Sequence, residues 1–140
     1  GTYDRMTYAF YNGNGWFTPS KDMMIVGIEP GITVCYGKCG FSVAINDDQN
    51  RAVTSASIES TELSALTHVQ FEHPAILKKD QRYYIGQRAW TDTSIGITTT
   101  GKDASFASGH GVLTVTSATS ETVDHTDRGM ISFTMIGQVR

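Results

Sequence analysis

The chain has 140 residues, 39% hydrophobic and 18% charged, with a formal net charge of −3. That length fits one domain that buries about two-thirds of the surface its unfolded form would expose, so a core can form without metal or disulfide staples. Its eleven Lys and Arg residues are scattered, and nucleic acid, which needs clustered cations to displace phosphate counterions, is not an expected partner. No apolar run approaches the ~20 residues of a membrane-spanning helix, and there is no signal-peptide pattern, so no membrane insertion is expected. The chain begins at Gly1 and stops at Arg140 inside a strand-like run. It is expected to be a processed form or a part of a longer protein.

Taken in order, the chain alternates short apolar runs with Gly, Asn, Asp or Pro punctuation, the pattern of an antiparallel sandwich. Residues 4–11 form the first predicted strand, closed by Asn12-Gly13-Asn14-Gly15, residues that tolerate positive φ at little cost. Residues 23–28 are continuously apolar, as in a strand buried on both faces or beside the core, and Pro30-Gly31 then forces a turn. Phe41, Val43 and Ile45 alternate with Ser42 and Ala44. Asn46-Asp47-Asp48 reverses the chain, and residues 51–58 return antiparallel. Residues 61–65 read as a short helical turn.

The segment from Leu66 to Trp90 carries the clearest pattern. Val69 and Phe71 point one way, with His68, Gln70 and Glu72 the other, while Pro74 cannot donate to a central ladder and marks a strand end or an edge. Lys78, Lys79 and Arg82 are the densest basic group, which reads as a solvated turn rather than a phosphate site. Tyr83, Ile85 and Ala89 form one face of the next strand, leaving Tyr84, Gly86, Arg88 and Trp90 on the opposite face. Runs at 94–100, 112–117 and 130–139 bring the total to about nine strands, with Leu113, Val115, Ile131, Phe133 and Met135 turned inward. The expected fold is a single all-β domain over residues 1–140, an antiparallel β-sandwich of jelly-roll-like type.

No catalytic motif accompanies this pattern. The phosphate-loop and dinucleotide-loop spacings and the serine nucleophile elbow are absent, so no catalytic residue and no cofactor is assigned. Cys35 and Cys39 in CYGKC could close a small disulfide loop if their Cα atoms come within about 7 Å. They could also give two thiolates to zinc, but no second Cys or His pair follows; two free thiols flanking a Tyr-Gly turn is the reading taken, and no metal is assigned. The chain has four histidines. His110 lies between two glycines, and Asp124-His125-Thr126-Asp127 offers imidazole and carboxylates for a weak cation or acid/base site. A polar loop in which Asp bonds its own backbone has the same sequence.

The aromatics are the stronger signal. Trp16-Phe17 follows the Asn-Gly turn, and Trp90 falls on the outward face beside Arg88. Sugar rings present C–H faces that stack on aromatic planes, while polar neighbours bond their hydroxyls. The competing uses of a Trp are to plug a sandwich end, since Trp is highly buried on average, or to sit in a subunit interface. Trp16, Arg88, Trp90, His110, Asp124 and His125 are the candidate ligand contacts.

The order GTYDRMTYAF, MMIVGI, FSVAI, VQFEHPAILKKDQRYYIG and GMISFTMIG resembles that of PHR-type jelly-roll domains, which have a D-R-hydrophobic opening, a hydrophobic V-G strand and an F-x-x-P-hydrophobic strand followed by Tyr. The segment YNGNGWFTPS stands as an insertion between the first two strands of that pattern. The Ser/Thr/Gly-rich texture, low in charge and cysteine, is also similar to phage tail-fibre tips, receptor-binding heads and capsid decoration domains. The second resemblance implies a non-catalytic module on a virion surface or another extracellular fibre, with a host-surface glycan or receptor protein as partner and homotrimeric assembly. The first implies a protein-interaction or assembly domain instead.

Overall fold

A computed structural model of the chain describes residues 4–11, 14–97, 99–100, 113–118 and 130–139. Among them the strands are β1 (Asp4–Tyr11), β2 (Gly15–Pro19), β3 (Met23–Glu29), β4 (Ile32–Tyr36), β5 (Cys39–Asp47), β6 (Ala52–Ser60), β7 (Val69–Leu77), β8 (Tyr83–Thr91), β9 (Ser94–Ile97), β10 (Thr99–Thr100), β11 (Leu113–Ala118) and β12 (Met130–Val139). A single 3₁₀ turn, Leu63–Leu66, sits where a helical turn is expected. The fold is all-β and antiparallel. One sheet has the order β1-β12-β3-β7, with β10 also paired to β12; a second has the order β11-β2-β8-β5-β6; β4 and β9 form a small ribbon.

The two larger sheets bury their inner faces against one another. Phe17, Phe41, Val43, Ile45, Ala56, Tyr83 and Ile85 come from the second sheet. Met23, Ile25, Ile28, Val69, Phe71, Ala75, Leu77 and Met135 come from the first, and all fall in one apolar cluster. Side chains alternate across a strand, so a strand with one wet face must alternate apolar and polar residues. The inward sets expected from the sequence at β5 and β7 are buried, as are Tyr83 and Ile85 of β8 and Met135 of β12, while Ala89 of β8 is only partly buried. The side chains of Leu113, Val115, Ile131 and Phe133 lie outside the described residues.

The apolar run at β3 has a different cause from burial on both faces. Val26 is an extra residue against β12, because Ile25 and Gly27 pair with the consecutive residues Gly137 and Ile136, whereas on β7 the same two residues pair with Ala75 and Gln70. One inserted residue reverses the phase of alternation. Met23 and Ile25 face the core before it, and Ile28 faces the core after it. Gly137 meets this bulge so closely that a Cβ would overlap the Met24 carbonyl.

Opposite Val26, β7 carries residues 71–74, including Pro74. The strand is an edge of its sheet, the position a Pro requires. The bulge leaves the His73 carbonyl to the neighbouring edge strand, where buried Thr54 donates its hydroxyl to it at 2.6 Å. This bond stitches β6 to β7 across the seam between the sheets.

The β5–β6 reversal is the expected hairpin. Asp47 accepts the Gln49 and Arg51 amides, each at 2.9 Å, and Asn50 takes a left-handed φ of 61°. The basic turn between β7 and β8 is likewise built from local bonds. The hydroxyl of buried Tyr83 accepts the Lys78 amide at 2.8 Å, Asp80 N–H donates to the Pro19 carbonyl, and Lys79 N–H donates to Asp22.

Three expectations need correction. The segment read as an insertion contains β2, which pairs with both β8 and β11, so the count exceeds nine. Residues 32–36, left without a strand, form β4. Cys35 and Cys39 are not free thiols but a disulfide with Cα atoms 6.1 Å apart. Gly37, at φ 71°, reverses the chain between them and brings the end of β4 to the start of β5.

Candidate functional site

The outer face of the β2-β8-β5-β6 layer is where the aromatic and basic candidates gather. β8 sends Tyr83 and Ile85 to the core, so its pleat sends Tyr84, Gly86, Arg88 and Trp90 outward. The register places Trp16 of β2 beside Tyr84, Ala44 of β5 beside Gly86, Ser42 beside Arg88, and Gly40 beside Trp90. Ser55, Ser57 and Glu59 of β6 continue the rows from Ala44, Ser42 and Gly40.

At one end, Trp16 and Tyr84 meet edge to face with centroids 5.2 Å apart, and the Arg82 guanidinium carbon stands 4.2 Å from the Trp16 ring centroid. At the other, the Trp90 indole covers Gly40 where a Cβ would otherwise stand, and Arg88 approaches that ring at 5.6 Å. Positions 84 and 90 are six residue steps apart, about 20 Å of strand at ~3.3 Å per residue. The rows between these ends carry only small side chains from β5 and β6.

That contrast makes a shallow depression of about 480 Å³ floored by Ser42, Ala44, Ser55, Ser57 and Gly86, walled by Tyr84 and Arg88, and bordered by Asn14 and Glu72. Asn14 is fixed there because its carboxamide oxygen accepts the Gln87 amide at 2.7 Å, extending the ladder past the start of β2.

The disulfide loop adjoins the Trp90 end. Lys38 N–H donates to the Asp92 carboxylate at 2.9 Å, and Asp92 N–H donates back to the Lys38 carbonyl at 3.1 Å. The first of these bonds, helped by the Thr93 hydroxyl, holds the Asp92 carboxyl below its usual range. The Lys38 ammonium pairs with Glu59 at 3.1 Å.

Of the residues singled out from the sequence, the structure unites Arg88 and Trp90 and sets Trp16 at the far end of the same face. Trp16 is half-buried in a strand, not held in a loop. His110, Asp124 and His125 lie outside the described residues. Among the described residues, no group of three or more His, Cys, Asp or Glu side chains could hold a metal ion, and no helix is long and apolar enough to cross a membrane. Tyr84, Gly86 and the Ser42–Ser57 floor were not candidates. Their signal was the outward alternation of β8 and β5, but their relation to Trp16 depends on β2 pairing with β8. No protein-family model matches the chain, and no curated protein is significantly similar to it.

Proposed function

We propose that this protein is a non-catalytic recognition module of a virion or other surface fibre, and that it binds host-surface carbohydrate on the outer face of β2, β8, β5 and β6. The observation that carries the reading is the depression between the Trp16–Tyr84 pair and Trp90. Tyr84 in its wall offers a π-face to sugar C–H groups, with Trp16 and Trp90 standing beyond its two ends. Its serine floor offers hydroxyls that both donate and accept, and its volume lies within the ~300–1,000 Å³ usual for small-ligand sites. The strand order agrees with a jelly roll: β1-β12-β3-β7 faces β2-β8-β5-β6, and the chain repeatedly passes from one sheet to the other. The Cys35–Cys39 bond agrees with an extracellular setting, where disulfides persist.

Exposed Val34 and Tyr36 on β4, the latter 62% accessible, favour a second reading, an assembly or protein-interaction domain with trimeric association through that ribbon.

Glycan-array binding by the intact chain tests the first reading. Gly86→Thr is the cleanest variant, because a Cβ at Gly86 meets its nearest neighbours at 3.5 and 3.8 Å and a β-branched residue suits an outward strand position. It should fold and lose binding, as should Trp90→Ala. Absence of glycan binding across a broad neutral and charged panel would sink the reading. A stable trimer lost in Tyr36→Ser would favour the second.

A further inference from the structure

The charge on this face narrows the ligand class, on the condition that the face binds glycans at all. The chain as a whole is net negative, yet the outward positions of β8 carry Arg88, and Arg82 precedes it on the same alternation. Both guanidiniums are exposed. Lys38 and Arg51 are each engaged by a carboxylate, Glu59 and Asp47. Arg82 and Arg88 instead face indole rings, and among the described residues neither has a carboxylate partner.

Glu59 is the carboxylate on the outward positions of the four strands, and Lys38 neutralises it. Arg88 stands in the wall of the depression, with Ser42 beside it in register and Ser57 in the same row. A planar fork of donors next to two hydroxyls matches an oxyanion: guanidinium takes a carboxylate or sulfate by paired N–H bonds, and the serines donate to its remaining lone pairs. The indole behind Arg88 restrains the guanidinium without consuming its in-plane donors, since a cation over a ring is held through its face.

We infer that the depression takes an acidic saccharide, with Arg88 as the anion contact, Tyr84 as the stacking surface for a sugar ring, and Trp90 as the support that holds Arg88 in place. Glu72 borders the depression from β7 and opposes the anion, so it sets an upper limit on affinity that its neutral isostere removes.

The test sorts the glycan panel into neutral, carboxylated and sulfated members, including lactose, 3′-sialyllactose and 3′-sulfolactose, and compares wild type with Arg88→Gln, Arg88→Lys and Glu72→Gln. Acidic members should bind about tenfold or more tightly than their neutral counterparts, as a charge-assisted paired hydrogen bond provides. That excess should disappear in Arg88→Gln, persist in part in Arg88→Lys, rise in Glu72→Gln and weaken as salt is raised. The carboxylated and sulfated arms decide which anion is the source. Equal binding of neutral and acidic glycans, or an acidic preference that survives Arg88→Gln, overturns this inference and leaves the carbohydrate reading standing. No binding to any member overturns both. Arg88 is exposed and outside the core, so loss of folding is not the expected effect of its substitution, and a retained thermal transition checks this.

Discussion

The indole of Trp90 in β8 lies over Gly40 in β5, its cross-strand partner, and occupies the space a Cβ at residue 40 would need. The two residues therefore specify each other. A bare backbone on an outward strand position exposes the ladder to water and lacks a side chain to pack, and the ring covers it.

Gly40→Ala should accordingly destabilise the wild-type protein by about 1–3 kcal/mol, the usual cost of forcing atoms into a filled site. In a Trp90→Ala background the same change should be neutral or stabilising, because alanine suits a strand better than glycine once the ring is gone. A double-mutant cycle in urea reads the coupling; an equal cost in both backgrounds would show that the ring does not occupy the Gly40 space.

A side-chain bond joins β6 to β7 across the seam between the sheets. Thr54 is 3% exposed and donates to the His73 carbonyl at 2.6 Å. Thr54→Val keeps the shape and removes the donor, leaving a carbonyl without its partner. A loss of about 1–2 kcal/mol is expected, with amide exchange rising in β6 and β7 more than in β1 and β3. Uniform exchange across both sheets would contradict a local role for the bond.

These relationships differ in how far the sequence discloses them. Alternation of apolar residues at β5, β7 and β8 marks the core because one pleated face must be dry, and that rule acts within a single strand. Pro74 marks an edge for a similarly local reason. β2 escapes the same reading because Gly15-Trp16-Phe17-Thr18-Pro19 is short and follows an Asn-Gly repeat that looks like a loop. Its strand character comes from partners far along the chain, β8 and β11. The candidate site inherits that limit. Arg88 and Trp90 share a strand and were found together, whereas the pairing of Trp16 with Tyr84 and the small-residue floor require the register between strands. The disulfide also depends on a conformation, the left-handed Gly37, that spacing alone does not impose.

The Cys35–Cys39 bond closes a very short loop, so the chain-entropy model gives it a modest contribution, about 2 kcal/mol. Reduction should lower the unfolding free energy by that amount, read as a lower urea midpoint at unchanged m, while the native far-UV spectrum persists, because Cys39 is one member of a much larger apolar cluster. The same loop carries the two hydrogen bonds between Lys38 and Asp92, close to Trp90 in sequence, so reduction should also shift the tryptophan emission. An unfolded reduced protein, or an unchanged midpoint, would each refute this estimate.

Acid should act on two turn carboxylates. Asp47 is held below its usual 3.8 first by the Arg51 amide, with the Gln49 amide and the Arg51 charge also contributing. Asp92 is held below the same value, chiefly by the Lys38 amide. A carboxyl whose folded pKa is depressed binds fewer protons folded than unfolded, so its stabilisation is present above the unfolded value and declines as pH falls through the folded one. The acid limb of the stability curve should therefore begin near pH 4 and steepen below it. Asp92→Asn removes one titrating group: the variant should be less stable than wild type at pH 6, with the gap closing towards pH 2. Both carboxylates are solvent-facing, so high salt should narrow the gap that arises from charge while sparing the part due to the lost backbone bonds. A gap of the same size at pH 6 and pH 2 would mean that Asp92 acts through its shape rather than its ionised carboxylate.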